Sequence, residues 1–74
     1  MMVTKYELDF IIYCIDILSE FYNLNRRDVY NTIDSCGLIS SYIVPNYEIL
    51  HTQGKQWLIE DLTNVLQELG VHLC

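Results

Sequence analysis

Basic residues are scarce in this 74-residue chain. Four lysines and arginines stand against ten acids, for a net charge of −6. A protein that binds phosphate backbones needs a basic stripe, so nucleic acid is not an expected partner. Cysteine is too sparse for a disulfide scaffold: the three residues, Cys14, Cys36 and Cys74, are odd in number and widely spaced. Proline occurs once and glycine three times, and no linker, low-complexity tract or internal repeat divides the chain. The longest apolar run, Phe10 to Leu18, is far too short to span a bilayer and contains Asp16. The opening residues do not read as a secretory signal, because Glu7 and Asp9 break the charged-then-apolar order. Free thiols and these absences make a reducing cytoplasm the expected compartment, with no membrane contact.

Apolar residues, by contrast, make up 51% of the chain, which argues against disorder. The length allows a single domain over residues 1–74. A domain this small buries only about 60% of the surface its unfolded chain exposes. Help from a partner or from regular helix packing is therefore expected.

Thr4-Lys5-Tyr6-Glu7 has the pattern of a capping box. It predicts a first helix from about Lys5 to Tyr22. The apolar residues Leu8, Phe10, Ile11, Ile12, Cys14, Ile15, Ile17, Leu18, Phe21 and Tyr22 cover roughly 220° of that helix, against ~100° for an ordinary surface helix. Only Asp9, Asp16 and Glu20 form a clearly polar line, with Tyr13 beside it. Such a helix needs neighbours on two sides, and in a short chain one of them can be another molecule. Asn23-Leu24-Asn25 ends this helix, and Asn25 caps a second, about Arg26 to Cys36, with Asp28 in its first turn. Val29, Tyr30, Ile33 and Cys36 form its stripe, and Gly37 follows as the terminating residue.

Leu38, Ile39, Tyr42 and Ile43 fit one or two helical turns, ended by the steric effect of Pro45 on Val44. A short strand is the alternative. Tyr47 to His51 reads as another single turn. Thr52 is the expected N-cap of the last helix, about Gln53 to Leu69, whose stripe is Leu58, Ile59, Leu62, Val65, Leu66 and Leu69. Gly70 closes it, and residues 71–74 follow as a tail. Trp57 projects with Asp61, Asn64 and Glu68 on the opposite side. Packing under the segment around Tyr42 to Tyr47 is the favoured reading, and outward presentation is the other.

The segment Tyr47-Glu48-Ile49-Leu50-His51-Thr52-Gln53-Gly54 carries a family resemblance. Tyr47, Leu50, His51, Thr52 and Gly54, followed by Trp57, two aliphatics and the acids Glu60 and Asp61, resemble the signature of a short bacterial family known only as a domain of unknown function. The resemblance extends back through Phe10 to Asp16 and the Gly37-Leu38 turn. It implies no chemistry. Genes of that family often neighbour one for an ADP-ribosyltransferase-like protein, which implies an accessory or antitoxin-like partner.

No reactive set is complete. Glu48 could orient His51, but no serine, cysteine or lysine motif supplies a nucleophile. The preferred reading of His51 is a ring bonded to backbone groups of its turn. Glu60 and Asp61 point in different directions on a helix and cannot act as a dyad. His72 and Cys74 supply only two of the four ligands of a structural zinc, so neither metal nor cofactor is expected. Arg26 and Arg27 sit at a helix N-terminus, where positive charge is slightly unfavourable. They point to a contact with a partner's acid, or to pairing with Asp28, Asp34 or an acid of another helix. The aromatic set Trp57, Tyr47, Tyr42 and Tyr13 ranks first as an interaction surface.

The expected fold is an all-α bundle of two long terminal helices, one medium helix and short helical turns between, with a small α+β fold as the alternative. The expected function is a non-enzymatic protein-interaction module, self-associating or binding another protein. A small ligand-binding or enzymatic domain using His51, and a helical DNA-binding domain, are the alternatives.

Overall fold

The structure is a computed structural model and describes residues 3–73. α1 (Lys5–Tyr22) opens on the expected capping box. The Glu7 N–H donates to Thr4 Oγ1 at 3.1 Å, and the Thr4 N–H donates to Glu7 Oε1 at 2.9 Å. The helix ends at Asn23, which takes a left-handed backbone (φ 55°). The Leu24 N–H then reaches Ser19 O and the Asn23 N–H reaches Glu20 O, so the last carbonyls of the helix are satisfied. α2 (Arg26–Ser35) begins under Asn25, whose side chain accepts from the Arg27 N–H at 2.7 Å. It stops before Gly37, which sits at φ +83° where a side chain would be strained.

The segment after Gly37 is helical, so the strand alternative fails, and there is no strand among the described residues. It is wound wide, as a π turn over Ile39–Ile43, with the Val44 N–H donating to Ile39 O. Val44 keeps a right-handed helical backbone (φ −65°, ψ −50°). Pro45 therefore does not push it to extended geometry, which corrects the expectation. Proline lacks an N–H and crowds the carbonyl four residues back. The π winding ends at Ile43 with Val44 as its cap, so the segment stops at the proline as expected while Val44 stays helical.

α3 is the single turn Tyr47–Leu50, closed by His51. α4 runs Lys55–Glu68 with Gly54 as its N-cap. Thr52 is not the cap. Its hydroxyl donates to Ile49 O at 2.7 Å and so belongs to the end of α3. At the other end, the Val71 N–H returns to Leu66 O and Gly70 turns left-handed. The tail is not free: Val71 and Leu73 pack against the core.

The two long helices pack on each other as expected, and α2 lies against both α1 and the π turn. Phe10, Ile11, Cys14, Ile15, Ile17 and Leu18 of α1 join Val29, Ile33, Leu38, Ile43, Leu50, Leu58, Ile59, Leu62 and Leu66 in one apolar cluster. Tyr22 of α1 and Thr63 of α4 share a hydrogen bond of 2.6 Å. Arg26 bridges to Asp16 at 3.1 Å and Lys55 to Glu20 at 3.2 Å, so the starts of α2 and α4 are both tied to α1. The Arg26 pairing is thus with an acid of another helix.

The chain covers most of the wide apolar arc of α1 by itself. Its total accessible surface is 4829 Å², close to the ~4,700 Å² of an ordinary monomer of this mass. What stays uncovered is a margin. Leu8 and Ile12, one turn apart, are exposed on one edge of the buried stripe. Tyr6 and Tyr13 are exposed on the other, and Phe21 at the helix end. Tyr30 and Leu69, expected on buried stripes, are exposed as well. Tyr30 sits at the edge of its stripe, and Leu69 is the C-cap residue just past the last turn of α4.

Leucines at two positions of α1 separate covered from uncovered surface. Leu18→Ala should destabilise by about 2–5 kcal/mol, since Leu18 is 0% exposed. Leu8→Ala should stay within about 0.5 kcal/mol, since Leu8 is half in water. Urea unfolding followed by circular dichroism measures both.

Candidate functional site

Phe10 projects from α1 onto α3. Its ring meets Tyr47 edge-on at 5.6 Å and Tyr13 at 6.3 Å. Tyr47 in turn stacks on His51 at 4.5 Å with the rings 7° apart. Four rings thus form a ladder from Tyr13 on α1 to His51 at the end of α3. His51 Nδ1 lies 2.7 Å from Tyr47 O. A carbonyl oxygen only accepts, so Nδ1 is the donor in this bond. This bond and the stack come from the i, i+4 spacing of Tyr47 and His51 on one helical turn. Leu50 points inward from the same turn and is buried in the core.

The polar groups of this turn are engaged by its backbone. Thr52 is committed to Ile49 O and His51 to Tyr47 O. Glu48 makes no hydrogen bond to His51 among the described residues. His51 does not line the concavities at Asp16 to Arg26, at Tyr22 with Thr63 and Val71, or between Phe21 and Glu60. No group of three or more His, Cys, Asp or Glu side chains converges among the described residues. Cys74, one of the two tail ligands considered above, lies outside them.

A second constellation forms where the π turn meets α4. The Tyr42 hydroxyl donates a short hydrogen bond to Asp61 Oδ2. Trp57, one turn before Asp61, is 42% exposed and forms no ring pair among the described residues. The connecting segment therefore reaches Asp61 and does not bury the indole. The aromatic set expected to act together is split: Tyr13 and Tyr47 belong to the ladder, Tyr42 and Trp57 to the face of α4. Gly54 joins neither. It is exposed with ordinary φ and open space around its Cβ position, so nothing local demands glycine there. Sequence reading missed the Tyr42–Asp61 and Tyr22–Thr63 bonds. Each joins residues on different elements, and no spacing rule signals such a pair.

Burial pushes the Cys14 thiol from an ordinary 9.0 up to about 12. For Tyr42, burial first, then the bond to Asp61 and the charges of Asp61 and Glu68, push the phenol from 10.0 up to about 12. Both groups keep their protons in the folded state at pH values where the unfolded chain has lost them. Their contribution is complete below about pH 9 and is lost as pH rises toward about 12. Chemical melts at increasing alkalinity should show this decline, and Cys14→Ala or Tyr42→Phe should each flatten it. For His51, long-range proton–nitrogen spectra should show the Nδ1-protonated tautomer at neutral pH. His51→Ala should cost about 0.5–1.5 kcal/mol of stability, the worth of one hydrogen bond.

No curated protein and no solved structure matches the chain. A family profile does match, over residues 9–69. That span runs from the start of the buried face of α1, through the ladder and the Tyr42–Asp61 contact, to the end of α4. The chain belongs to DUF3791, a family of proteins of unknown function.

Proposed function

We propose that this protein is a non-enzymatic interaction module, an accessory or antitoxin-like partner of another protein in a reducing cytoplasm. The observation that carries this reading is the set of large apolar side chains left in water after the core is filled: Leu8, Ile12, Tyr13 and Phe21 on α1, and Trp57 on α4. Scattered exposed apolar residues are ordinary. Here Leu8 and Ile12 adjoin on one helix margin, and Trp57 stands out as the residue type most enriched among binding hot spots. The acidic surface favours a basic partner surface.

The enzymatic alternative draws on His51, whose exposed Nε2 could take a proton. Its ring and the neighbouring hydroxyl are both held by backbone carbonyls, which favours a structural role. The DNA-binding alternative draws on the turn at Gly37 between two helical segments, and the charge of −6 weighs against it. No helix among the described residues is long and apolar enough to cross a membrane.

Light scattering over a range of concentrations, run beside affinity capture from the native host, tests the proposal. A mass rising from 8.7 kDa toward twice that value with concentration supports self-association. A stoichiometric host protein, released by Trp57→Ala or by Leu8→Ser with Ile12→Ser, supports a heterologous partner. A strict monomer that retains no host protein overturns the reading.

A further inference from the structure

α4 presents a polar line along its outer side, opposite the buried stripe. Trp57, Asp61, Asn64 and Glu68 are spaced at 0, +4, +7 and +11, and so lie above one another within a fraction of a turn. Trp57, Asn64 and Glu68 are exposed and Asp61 is half-buried. Two ion pairs occur among the described residues, and both use acids of α1: Arg26 with Asp16, and Lys55 with Glu20. Neither Asp61 nor Glu68 has a basic partner among the described residues. Tyr42 meets this line from the π turn. Its hydroxyl holds one oxygen of Asp61, and its phenol feels the charge of both Asp61 and Glu68. Asp61 lies one turn from the only tryptophan of the chain, and Glu68 about two turns further along the same line.

We propose that Trp57, Asp61 and Glu68, with Tyr42 bonded to Asp61, are the docking strip for an arginine-bearing basic segment of a partner protein. The proposal rests on the interaction reading above and names its surface and the chemistry of its partner. A guanidinium lies flat on an indole face, attracted by the ring's quadrupole. Its N–H fork reaches a carboxylate one helical turn away, in the geometry that arginine meets and lysine does not. Tyr42 fixes the rotamer of Asp61 and leaves the remaining lone pairs of that carboxylate to accept. Glu68, further along, meets a second basic residue. Because the strip stands on one helix, little order has to be created on binding. Phosphate and acidic partners are repelled by the same two carboxylates.

The single tryptophan makes the test direct. The intact chain is titrated with an acetylated, alternating Arg-Gly peptide amide while Trp57 emission is followed. Alternating Lys-Gly and Glu-Gly peptides serve as comparison. The expected result is a saturable change with the arginine peptide and binding at least about threefold weaker with the lysine peptide. The glutamate peptide gives no change, and arginine binding weakens as salt rises. Glu68→Gln and Asp61→Asn should each weaken the arginine peptide about three- to tenfold, with far-UV spectra and melting unchanged for Glu68→Gln, an exposed residue outside the core. Equal response to all three peptides, no response to arginine, or indifference to both substitutions overturns the proposal. So do amide shifts from the arginine peptide confined to Tyr13, Phe10 and Tyr47. A host protein that binds the Trp57→Ala and Glu68→Gln chain as tightly as the native one removes this strip and leaves the module reading intact.

Discussion

The interaction on which the rest depends is the burial of α1's wide apolar face. Cys14 and Leu18 have no exposure at all, and Ile11, Ile15 and Ile17 very little. α2 covers one side of this face and α4 another, while Phe10 brings α3 under the same helix through Tyr47. A chain of this size has little core to share out. The broad buried face of α1 lets the elements between the two long helices be short. α3 can be a single turn because Leu50 anchors it in the core and Phe10 receives Tyr47. The two ion pairs that reach α1 are exposed and contribute little energy. Their effect is to favour the angle at which α2 and α4 begin, after apolar packing has brought them close.

Much of this was readable from local chemistry. Thr4 with Glu7, Asn25 and Gly37 each carry a backbone requirement that few other residue types meet, so both ends of α1 and the limits of α2 follow from sequence. The start of α4 did not follow. Thr52 is a better capping residue than Gly54 by type, yet its hydroxyl closes α3, because that turn ends first and its carbonyl at Ile49 is nearer. A cap propensity does not say which of two adjacent helices a residue will serve. The ending expected at Val44 from the proline that follows does occur, but Val44 keeps a helical backbone, against the pre-proline bias. Leu38 and Ile43 are both fully buried, five residues apart. The wide turn brings that pair to one face, so burial decided the outcome over local preference.

The candidate site was legible in its members and not in its grouping. Trp57, Asp61, Tyr47, Tyr42 and His51 are conspicuous as residue types, and the stack of Tyr47 on His51 follows from their spacing in one turn. The split into a ladder and a separate face of α4 depends on where α3 and the π turn lie relative to the long helices. That placement comes from tertiary packing, which periodicity does not encode. The exposed margin of α1 was legible only as a width. Which residues would remain outside depended on how far α2 and α4 reach around the helix.

The π turn links the fold to the face of α4. Tyr42 lies within it, and its hydroxyl must arrive at Asp61 while Ile43, the next residue, is sealed in the core. In a regular α-helix, successive side chains diverge by about 100°. Wider winding changes that angle and shifts all that follows by part of a turn. Pro45 makes such winding less costly by removing the N–H that a regular ladder would use. The same local departure thus satisfies a proline, seals Ile43 and fixes the orientation of an acid beside the only tryptophan. A neutral phenol brings no positive charge to the carboxylate it holds, whereas a lysine or arginine would. With four basic residues in the whole chain, and two of them paired with acids of α1, this face has no ion pair among the described residues.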